Sequence, residues 1–499
     1  MVDSPEAGSV LVSRFEEGHD KGPDRVALMV NGRSFTYAEL RSRAMRLAER
    51  VLRTTPAPRR LGLLVPPGEN LYVGLLAVLY TGAALVPLNT DSPRSRVQAM
   101  ADSAEVCALV AEDTDVTSSW PGRRPPVVPV GTGEEEERKG LPALPASSAG
   151  SIAYILFTSG STGRPKGVPI SRENIDFYLE TVRSRYSFTP DDVFSQTFTI
   201  TFDLALFDLF AAWQAGARVV PVPPGAYLDL PGFLETHGVT VWFSTPSTIP
   251  LVRRGGGLGH GSLPTLRWSL FCGEALPLKD ALDWRNAAVN STVENLYGPT
   301  ELTVSCSVHR WSEEGPPDSY VNGVVPIGRI HDGHDHVLID EDSRPVPDEG
   351  ELCVSGPQMF AGYLDPSDDE GRFLHHEGRR WYRTGDRVRR LAEGGLAYLG
   401  RTDHQVQIRG ARIEPAEIEC ALRDLPGVEE AVTIALGRRL LSFYTGRPRP
   451  ESELRAGLGL VLPAYMMPSG IGHIDGFPLN ANGKVDRARL GEIAEERRL

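Results

Sequence analysis

A glycine-rich loop directly after an apolar run is the feature that most constrains what this chain can fold into. Residues 152–157 (IAYILF) are typical of a buried strand, and residues 158–167 (TSGSTGRPKG) follow them. The loop offers backbone N–H groups, hydroxyls and the Lys166 ammonium to an anion, and a helix start follows at Ser171. Its spacing differs from Walker A, in which the lysine follows a glycine directly and precedes Ser or Thr. The pattern therefore predicts a phosphate-binding loop, with a flexible Gly/Ser linker as the alternative.

Short apolar strands alternate with helical segments over most of the chain. Residues 61–65 and 82–87 have the composition of buried strands, and residues 71–79 between them have that of a helix. Such alternation predicts a largely parallel sheet that is covered by helices on both faces. Residues 120–148 are rich in proline and include four consecutive glutamates, which indicates a solvated surface loop. After residue 400 the pattern changes to a small α/β unit, in which Glu414 precedes a helix.

Composition limits the class of protein. A length of 499 residues is enough for two or three domains with cores of their own. The net charge of −13 argues against non-specific nucleic-acid binding, which needs a basic face. The five cysteines are scattered and odd in number, which favours free thiols in a reducing compartment. No signal-peptide pattern opens the chain and no apolar run approaches 18 residues, so we predict a cytoplasmic protein without a membrane or nucleic-acid partner.

Further motifs follow the loop in a fixed order: YGPTE at residues 297–301, YRTGD at 382–386, GRTD at 400–403 and NGK at 482–484. Together with the loop they resemble the motifs of the adenylate-forming superfamily, which includes nonribosomal peptide synthetase adenylation domains, acyl-CoA synthetases and luciferases. The resemblance implies an α/β fold with two domains. Residues 1–401 are expected to form a large N-terminal adenylate-forming domain of stacked mixed and parallel sheets with helices, which binds ATP and the amino acid. Residues 402–499 are expected to form a small, mobile C-terminal α+β domain that carries the catalytic lysine.

The resemblance implies ATP as a cofactor and assigns roles to the residues around it. Tyr297 is expected to stack on adenine, and Asp386 to accept hydrogen bonds from the two ribose hydroxyls. Arg401 is expected to reach the ribose or a phosphate. The expected ATP-binding residues are Thr158, Ser159, Gly160, Ser161, Thr162, Gly163, Lys166, Asn295, Tyr297, Gly298, Asp386 and Arg401.

The same resemblance implies Mg²⁺ and a set of catalytic residues. Thr300 is expected to touch the α-phosphate, and Glu301 to bind Mg²⁺, a cation that prefers oxygen ligands. Lys484 is expected to neutralise charge that develops on the carboxylate and the phosphate. Asp403 is the expected hinge, about which the small domain turns after adenylation. That rotation withdraws Lys484 and presents residues 405–410 for thioester formation.

Asp203, in the run FDLALFD at residues 202–208, distinguishes amino acids from other acids. A buried carboxylate at this place would pair with a substrate ammonium, which fatty and aryl acids lack. The amino-acid-activating branch of the superfamily carries an Asp here, and its aryl-acid branch usually does not. The alternative is that Asp203 only caps a helix after a strand.

The side-chain pocket that the resemblance implies contains no charge, which disfavours a charged substrate side chain. Its expected lining is Leu204, Phe207, Phe243, Leu270, Cys272, Leu296, Val304 and Ser305. Two Phe and three Leu leave modest volume for a small apolar amino acid. The lining resembles that of prolyl-carrier-protein ligases and, around Cys272, that of D-alanyl carrier protein ligases. L-proline is therefore our first choice, while alanine of either hand and a β-amino acid remain open.

These expectations describe an AMP-forming amino acid–carrier protein ligase that works in two steps. ATP and a small amino acid give aminoacyl-AMP and pyrophosphate, and the acyl group then moves to the phosphopantetheine thiol of a carrier protein. No carrier domain follows residue 499, so the carrier is expected to be a separate protein. An acyl-CoA synthetase of the same fold is the rival enzyme, and an ATP-binding regulatory relative without catalysis is the non-enzymatic rival.

Overall fold

The computed structural model describes residues 10–131, 151–160, 163–312, 320–403, 405–479 and 485–497. Three expected site residues, Ser161, Thr162 and Lys484, lie outside the described residues, as does the run of glutamates at 134–137. None of the helices in the described ranges combines the length and the apolar character needed to cross a bilayer.

Helices and strands alternate through the described part of the chain, as the sequence pattern predicts. The helices are α1 (Val10–Lys21), α2 (Tyr37–Thr54), α3 (Glu69–Tyr80), α4 (Arg94–Ser103), α5 (Arg172–Arg185), α6 (Leu204–Leu206), α7 (Ala212–Ala215), α8 (Leu230–His237), α9 (Thr248–Arg254), α10 (Leu278–Ala287), α11 (Pro415–Arg423), α12 (Glu451–Leu458) and α13 (Arg487–Arg497). The strands of the first 310 residues are β1 (Val26–Val30), β2 (Arg33–Thr36), β3 (Arg60–Leu64), β4 (Ala84–Pro87), β5 (Ala108–Ala111), β6 (Val127–Pro129), β7 (Ile152–Thr158), β8 (Lys166–Ser171), β9 (Val193–Gln196), β10 (Arg218–Pro221), β11 (Val241–Ser244), β12 (Trp268–Phe271), β13 (Thr292–Tyr297) and β14 (Ser307–Arg310). The later strands are β15 (Arg329–Ile330), β16 (Asp335–Ile339), β17 (Pro345–Val346), β18 (Glu349–Ser355), β19 (Phe373–His376), β20 (Arg379–Arg390), β21 (Leu396–Arg401), β22 (Val406–Ile408), β23 (Ala411–Ile413), β24 (Val428–Leu436), β25 (Arg439–Gly446) and β26 (Gly470–His473).

Two mixed sheets form the bulk of the fold. One has nine strands in the order β15-β14-β13-β12-β11-β9-β10-β1-β2, and the other has six in the order β6-β5-β3-β4-β7-β8. Most neighbours in these sheets are parallel, whereas β2, β8, β14 and β15 pair antiparallel at the edges. Strands β4, β5, β9 and β11 are buried at every residue, which accounts for the continuously apolar sequences of β4 and β5 and the apolar first residues of β9 and β11. The α/β fold class is therefore as predicted.

Local sequence signals explain where two of the helices begin. The Thr36 side chain accepts from the Glu39 N–H, and the Glu39 carboxylate accepts from the Thr36 N–H, which completes a capping box for α2. Ser171 and Asn174 form the same arrangement at the start of α5. The helix starts that the sequence indicates at residues 36 and 171 are confirmed.

The remaining strands form a third, antiparallel sheet and two small ones. The third sheet has the order β17-β16-β18-β20-β19, with β21 paired to β20. Beyond it, β22 pairs with β23, and β24, β25 and β26 form a three-stranded sheet. Residues of α11, α12 and α13 pack into two buried apolar clusters with these last strands. The domain boundary at residue 401 stays a prediction, although β21 ends at that residue.

Two details differ from the sequence analysis. The glycine-rich loop does not pass directly into α5, because β8 turns back along β7 and pairs Thr158 with Lys166. In the stretch predicted to be a surface loop, residues 127–129 form an edge strand beside β5. The β-branched Val127 and Val128 favour a strand, but the prolines around them made the segment resemble a loop.

Candidate active site

The expected ribose-binding and adenine-binding residues meet where β13 and β21 end, beside the middle of β20. The Tyr297 hydroxyl, at the end of β13, donates to Asp386 Oδ2 over 2.6 Å, and Arg401 Nη1 lies 3.0 Å from Asp386 Oδ1. Burial raises the pKa of Asp386 despite the neighbouring guanidinium. Asn295 faces the same region and donates to the Pro326 carbonyl over 2.9 Å. These residues line a cavity of about 50 Å³, together with Gly298.

Gly298 is required by close packing at this cavity. A Cβ added to Gly298 would stand 2.6 Å from the Ser305 Cα and 2.8 Å from the Cys306 backbone nitrogen. Backbone atoms cannot move aside as a flexible side chain can, so a larger residue would displace the strand end that carries Tyr297. This contact links the nucleotide-binding motif to the expected amino-acid pocket.

The described part of the glycine-rich loop uses its donors within the protein. Ser159 Oγ donates to the Arg412 carbonyl over 2.7 Å and accepts from the Glu414 N–H over 3.0 Å. The Gly160 N–H donates to Glu417 Oε2 over 3.2 Å. Every one of these partners belongs to the segment of residues 412–417, which we call the docking segment. The loop therefore offers an O–H and an N–H donor, which two different acceptors of the docking segment use.

Lys166 is nearly completely buried beside the loop. Its Nζ lies 3.3 Å from Asp368 Oδ1 and 5.5 Å from the centre of the Tyr363 ring. The Tyr363 hydroxyl in turn donates to Glu301 Oε1 over 2.6 Å. Tyr363 therefore connects the loop lysine with the carboxylate expected to bind metal, a role that the sequence analysis did not assign.

Glu301 is fully buried and paired with a cation from the docking segment. Arg412 Nη1 lies 2.9 Å from Glu301 Oε1 and 2.7 Å from Oε2. Burial alone would raise the pKa of Glu301, but the Arg412 guanidinium and the hydrogen bonds to the carboxylate, including that of Tyr363, together outweigh burial and lower it. An ionised carboxylate beside Thr300 is chemically suited to Mg²⁺, with phosphate oxygens and water as further ligands. The fit requires Arg412 to leave, because both cations use the same carboxylate oxygens.

Asp203 is a buried carboxylate at the start of α6. Its Oδ2 accepts from the Val304 N–H over 3.3 Å, and burial raises its pKa to about 7. Among the described residues, no basic side chain forms a salt bridge with it. The helix-cap alternative is not what the structure shows, since the Asp203 side chain makes no capping hydrogen bond. Within the described ranges, Asp203 is therefore an acidic group without a counter-ion.

All eight expected pocket residues are buried around Asp203. The Phe207 and Phe243 rings lie 4.9 Å apart in an edge-to-face arrangement, and Phe243 pairs with Leu270 between β11 and β12. Burial raises the pKa of the Cys272 thiol well above its usual range, so this side chain remains neutral. Leu204, on α6, lies across from Gly273. The structure therefore places these residues together in an uncharged surrounding.

The turn that carries Val304 has an unusual backbone conformation, and a residue distant in sequence holds it. Thr303 and Val304 have φ values of 57° and 68°, in the left-handed region that β-branched residues disfavour. The fully buried Gln358 donates from Nε2 to the carbonyls of Leu302, Thr303 and Ser305, over 3.1, 3.0 and 2.8 Å. Thr303 Oγ1 donates back to the Gln358 carbonyl over 2.7 Å. Nothing in the sequence near residue 358 indicates this role.

The expected hinge and the strand after it lie beside the site. Arg401 contacts both carboxylate oxygens of Asp403, over 2.9 and 2.8 Å, and outweighs burial to lower the pKa of Asp403. The Gly410 N–H donates to Glu274 Oε1 over 3.0 Å. A cleft of about 380 Å³ borders the hairpin of β22 and β23 and is lined by residues that include Glu274, Tyr398, Gln405 and Gln407. Residues 405–408 thus line this cleft, and their part in thioester formation stays a prediction.

Comparisons with known proteins agree with the site. The sequence profile of the AMP-binding enzyme family matches residues 15–364, and the chain therefore belongs to this family. The chain is 34% identical over 498 residues to an L-proline--[L-prolyl-carrier protein] ligase of Streptomyces coelicolor. The alignment covers 93% of this chain and 92% of that protein. It also matches multidomain synthetases, and it spans only 46% or less of the length of three of them.

Solved structures give the same assignment. The crystal structure of IdnL7 is 44% identical to this chain, with a TM-score of 0.74, and covers 98% of this chain and 99% of its own. The adenylation domain AlmE of Vibrio cholerae, solved with glycyl-adenosine-5'-phosphate, is 25% identical with a TM-score of 0.86 and covers 99% of both chains.

Proposed function

We propose that this chain activates a small amino acid as aminoacyl-AMP and transfers the acyl group to the phosphopantetheine thiol of a carrier protein. The observation that carries this proposal is the buried Asp203 carboxylate, which has no salt bridge among the described residues and adjoins an uncharged pocket. A substrate ammonium would supply the missing charge. An acid without an ammonium would leave Asp203 unpaired, which is costly in a buried site.

L-proline is the substrate that we propose first. Its ring is compact and apolar, which suits a pocket bordered by the paired rings of Phe207 and Phe243. The relative from Streptomyces coelicolor is named as a prolyl-carrier protein ligase and matches this chain over nearly its whole length. Its name gives a carrier protein as the acceptor, which supports a carrier protein as the acceptor here as well.

A smaller amino acid, alanine or glycine, is the second candidate. Cys272 and Leu204 are buried, and a Cβ added to Gly273 would stand 3.5 Å from Leu204 Cδ1, so the wall near Asp203 is closely packed, which favours a small side chain. The similar structure of AlmE was solved with a glycyl adenylate. The two candidates differ only in the size of the side chain, so the mechanism is the same for both.

The proposed reaction joins a substrate carboxylate oxygen to the α-phosphorus of ATP, and pyrophosphate leaves. Glu301 would hold Mg²⁺, which stabilises the negative charge of the phosphates. Lys166 and the N–H groups of the loop would bind phosphate oxygens, and Thr300 would contact the α-phosphate. Lys484 is expected to neutralise charge at the reacting carboxylate. In the second step the carrier thiolate attacks the acyl carbon, and AMP leaves.

The cleft beside residues 405–410 supports the second step. It leads from the protein surface near Arg438 to Arg401, at the nucleotide cavity. A phosphopantetheine arm is long and narrow, and it could reach the acyl carbon through such a cleft. We place this reaction in the cytoplasm, because all five cysteines are free thiols.

The test is amino-acid-dependent ATP–pyrophosphate exchange with L-proline, L- and D-alanine, glycine, L-serine, β-alanine and salicylate. Strong exchange with proline alone would support the first candidate, and exchange with alanine or glycine would support the second. Exchange with salicylate and with no amino acid would contradict the role of Asp203. Incubation with CoA or with a phosphopantetheinylated carrier protein then separates the two acceptors, since rapid acyl-CoA formation would favour the acyl-CoA synthetase.

A further inference from the structure

Residues 331–336 (HDGHDH), which we call the histidine segment, contain three histidines that the proposed reaction does not use. His331 Nδ1 lies 3.4 Å from Gln358 Oε1, and the Gln358 backbone N–H donates to His334 Nε2 over 3.3 Å. His336 instead accepts from the Arg390 guanidinium over 2.9 Å. Two of the three histidines therefore contact the residue that holds the strained turn of residues 302–305.

The hydrogen bonds of Gln358 determine which way its amide points. Its Nε2 faces the carbonyls of Leu302, Thr303 and Ser305, and an amide oxygen in that place would meet only other acceptors. Oε1 therefore faces His331 as an acceptor. Burial lowers the pKa of His331 to about 4, so the ring is neutral at pH 7. Its one ring proton must lie on Nδ1 if His331 is to donate to Gln358.

The backbone of Gln358 is held from two sides as well. Its N–H donates to His334, and its carbonyl accepts from Thr303 Oγ1 over 2.7 Å. Burial lowers the pKa of His334, which keeps a lone pair on Nε2 to accept this hydrogen bond. The His334 ring is closely packed, because a Cβ added to Gly356 would collide with it and the Phe177 ring lies 5.4 Å away, edge to face. The amide and the backbone of Gln358 thus each have a histidine partner.

Backbone hydrogen bonds attach the same two segments to both ends of the strained turn. The His331 N–H donates to the Cys306 carbonyl over 2.8 Å, just after the turn. The Phe360 N–H donates to the Glu301 carbonyl over 2.9 Å, just before it. The turn therefore lies between the histidine segment and residues 358–360, and its conformation depends on both.

We propose that His331 and His334 are positioning residues for the amino-acid pocket, which act by fixing Gln358. Gln358 holds the strained turn, and that turn places the Val304 N–H against Asp203. The proposal rests on the proposed role of Asp203 in binding the substrate ammonium. Neither histidine is among the residues expected to line the pocket, so their effect on the substrate passes through the turn.

The experiment compares variants that remove or retain each histidine hydrogen bond. His331→Leu removes the donor to Gln358 Oε1, and His334→Leu removes the acceptor of the Gln358 N–H. His331→Asn retains a donor near the position of Nδ1, and His334→Gln retains an acceptor near the position of Nε2. His336→Leu is the matched control, because it lies in the same segment and contacts Arg390 instead.

Two measurements on the full chain report the substrate and the turn separately. Exchange of ATP with pyrophosphate, driven by L-proline or by L-alanine if proline gives none, yields the KM for the amino acid and for ATP. Each leucine variant should raise the KM for the amino acid about fivefold, the equivalent of one hydrogen bond, and leave the KM for ATP unchanged. Deuterium uptake by residues 302–306, whose N–H groups are all hydrogen-bonded, should accelerate by about the same factor. The Asn and Gln variants and the control should stay close to the wild type.

The outcomes separate this proposal from the proposed function. Equal rises in the two KM values, or wild-type deuterium uptake in both leucine variants, would overturn the positioning role. Leucine-like behaviour of the folded Asn and Gln variants would overturn it as well, because the hydrogen bonds would then not matter. A leucine variant that circular dichroism shows to be unfolded is replaced by the alanine variant, which leaves space for water. Exchange with no amino acid in the wild type would contradict the proposed function, and deuterium uptake would still decide whether the histidines hold the turn.

Discussion

The amino-acid end and the phosphate end of the site are built on different principles. At the amino-acid end, Asp203 accepts a hydrogen bond from Val304, and Gln358 donates to three carbonyls of the strained turn. All of these residues belong to the predicted large domain. Around Glu301 and Gly160 the charged partners, Arg412 and Glu417, come from the docking segment. One end is therefore held by hydrogen bonds within the predicted large domain, and the other by contacts to the atoms that we propose bind Mg²⁺ and phosphate.

The difference fits the proposed function, which needs one selective pocket and two successive arrangements at the phosphates. Selectivity needs a pocket whose shape persists, so strain and buried hydrogen bonds belong there. Release of pyrophosphate and entry of a thiol need charges that can exchange partners without being left unpaired. Each of the following changes should disturb mainly one of the two ends.

The largest expected effect comes from Asp203→Asn. We expect amino-acid-dependent ATP–pyrophosphate exchange to fall about 100-fold or more, because a substrate ammonium would lose its buried counter-ion. The protein should remain at least as stable at pH 8, since the folded-state pKa of Asp203 is raised and its ionisation opposes folding. Exchange kinetics and thermal unfolding measure the two effects. Asp191→Asn, at an exposed carboxylate, is the control, and a large loss of stability in Asp203→Asn would contradict this account.

Gln358→Leu should loosen the fixed end. Loss of the three donated hydrogen bonds leaves buried carbonyls unpaired, and we expect the free energy of unfolding to fall by roughly 2–4 kcal/mol. The KM for the amino acid should rise more than the KM for ATP, because the turn positions the Val304 N–H against Asp203. Gln98→Leu, which removes one exposed hydrogen bond, should change neither quantity. Equal changes in both KM values would show that Gln358 serves the whole site.

The pH dependence of amino-acid binding follows from the pKa of Asp203, which burial raises to about 7. Only the ionised carboxylate pairs with an ammonium, and free amino acids stay protonated at nitrogen over this range. The KM for the amino acid should therefore fall about tenfold from pH 6 to pH 8 and then level off. Steady-state exchange assays across this range test the expectation, and a constant KM would contradict it. In the unliganded protein, ionisation of Asp203 also lowers the free energy of unfolding as the pH rises through its raised pKa.

The smallest effect is expected at the exchangeable end, from Tyr363→Phe. The change removes the hydroxyl that donates to Glu301 while the ring beside Lys166 is retained. We expect the rate of exchange to fall about fivefold at saturating amino acid, since one hydrogen bond to the metal-binding carboxylate is lost. Tyr80→Phe removes a hydroxyl that donates to Glu16 away from the site, and it should leave exchange unchanged. Similar losses in both variants would indicate a general effect on stability.

Much of the fold and half of the site could be predicted from sequence, for a physical reason. Strand and helix signals such as the capping boxes at Thr36 and Ser171 are local, and the expected pocket residues meet because short motifs follow adjacent strands. The contacts of Gln358 and of the docking segment join residues 53 to 257 positions apart. Pairings of that kind depend on how the last strands sit against the rest, which no local pattern encodes. The domain boundary and the role of Lys484 remain predictions.

The left-handed conformation of Thr303 and Val304 also limits how the pocket could diversify. A new side chain at Thr303 or Val304 must fit the substrate and also adopt a left-handed φ. Most substitutions there therefore lower the stability of the protein for a reason unrelated to substrate recognition. Phe243 and Leu270 lie on strands, and Phe207 begins a π-helical turn with right-handed backbone angles (φ −61°, ψ −54°), so these three are free of that restriction. Variation in the accepted amino acid should therefore accumulate at the helix and strand positions. Laboratory selection for a new substrate would do best to randomise those three residues and leave the turn untouched.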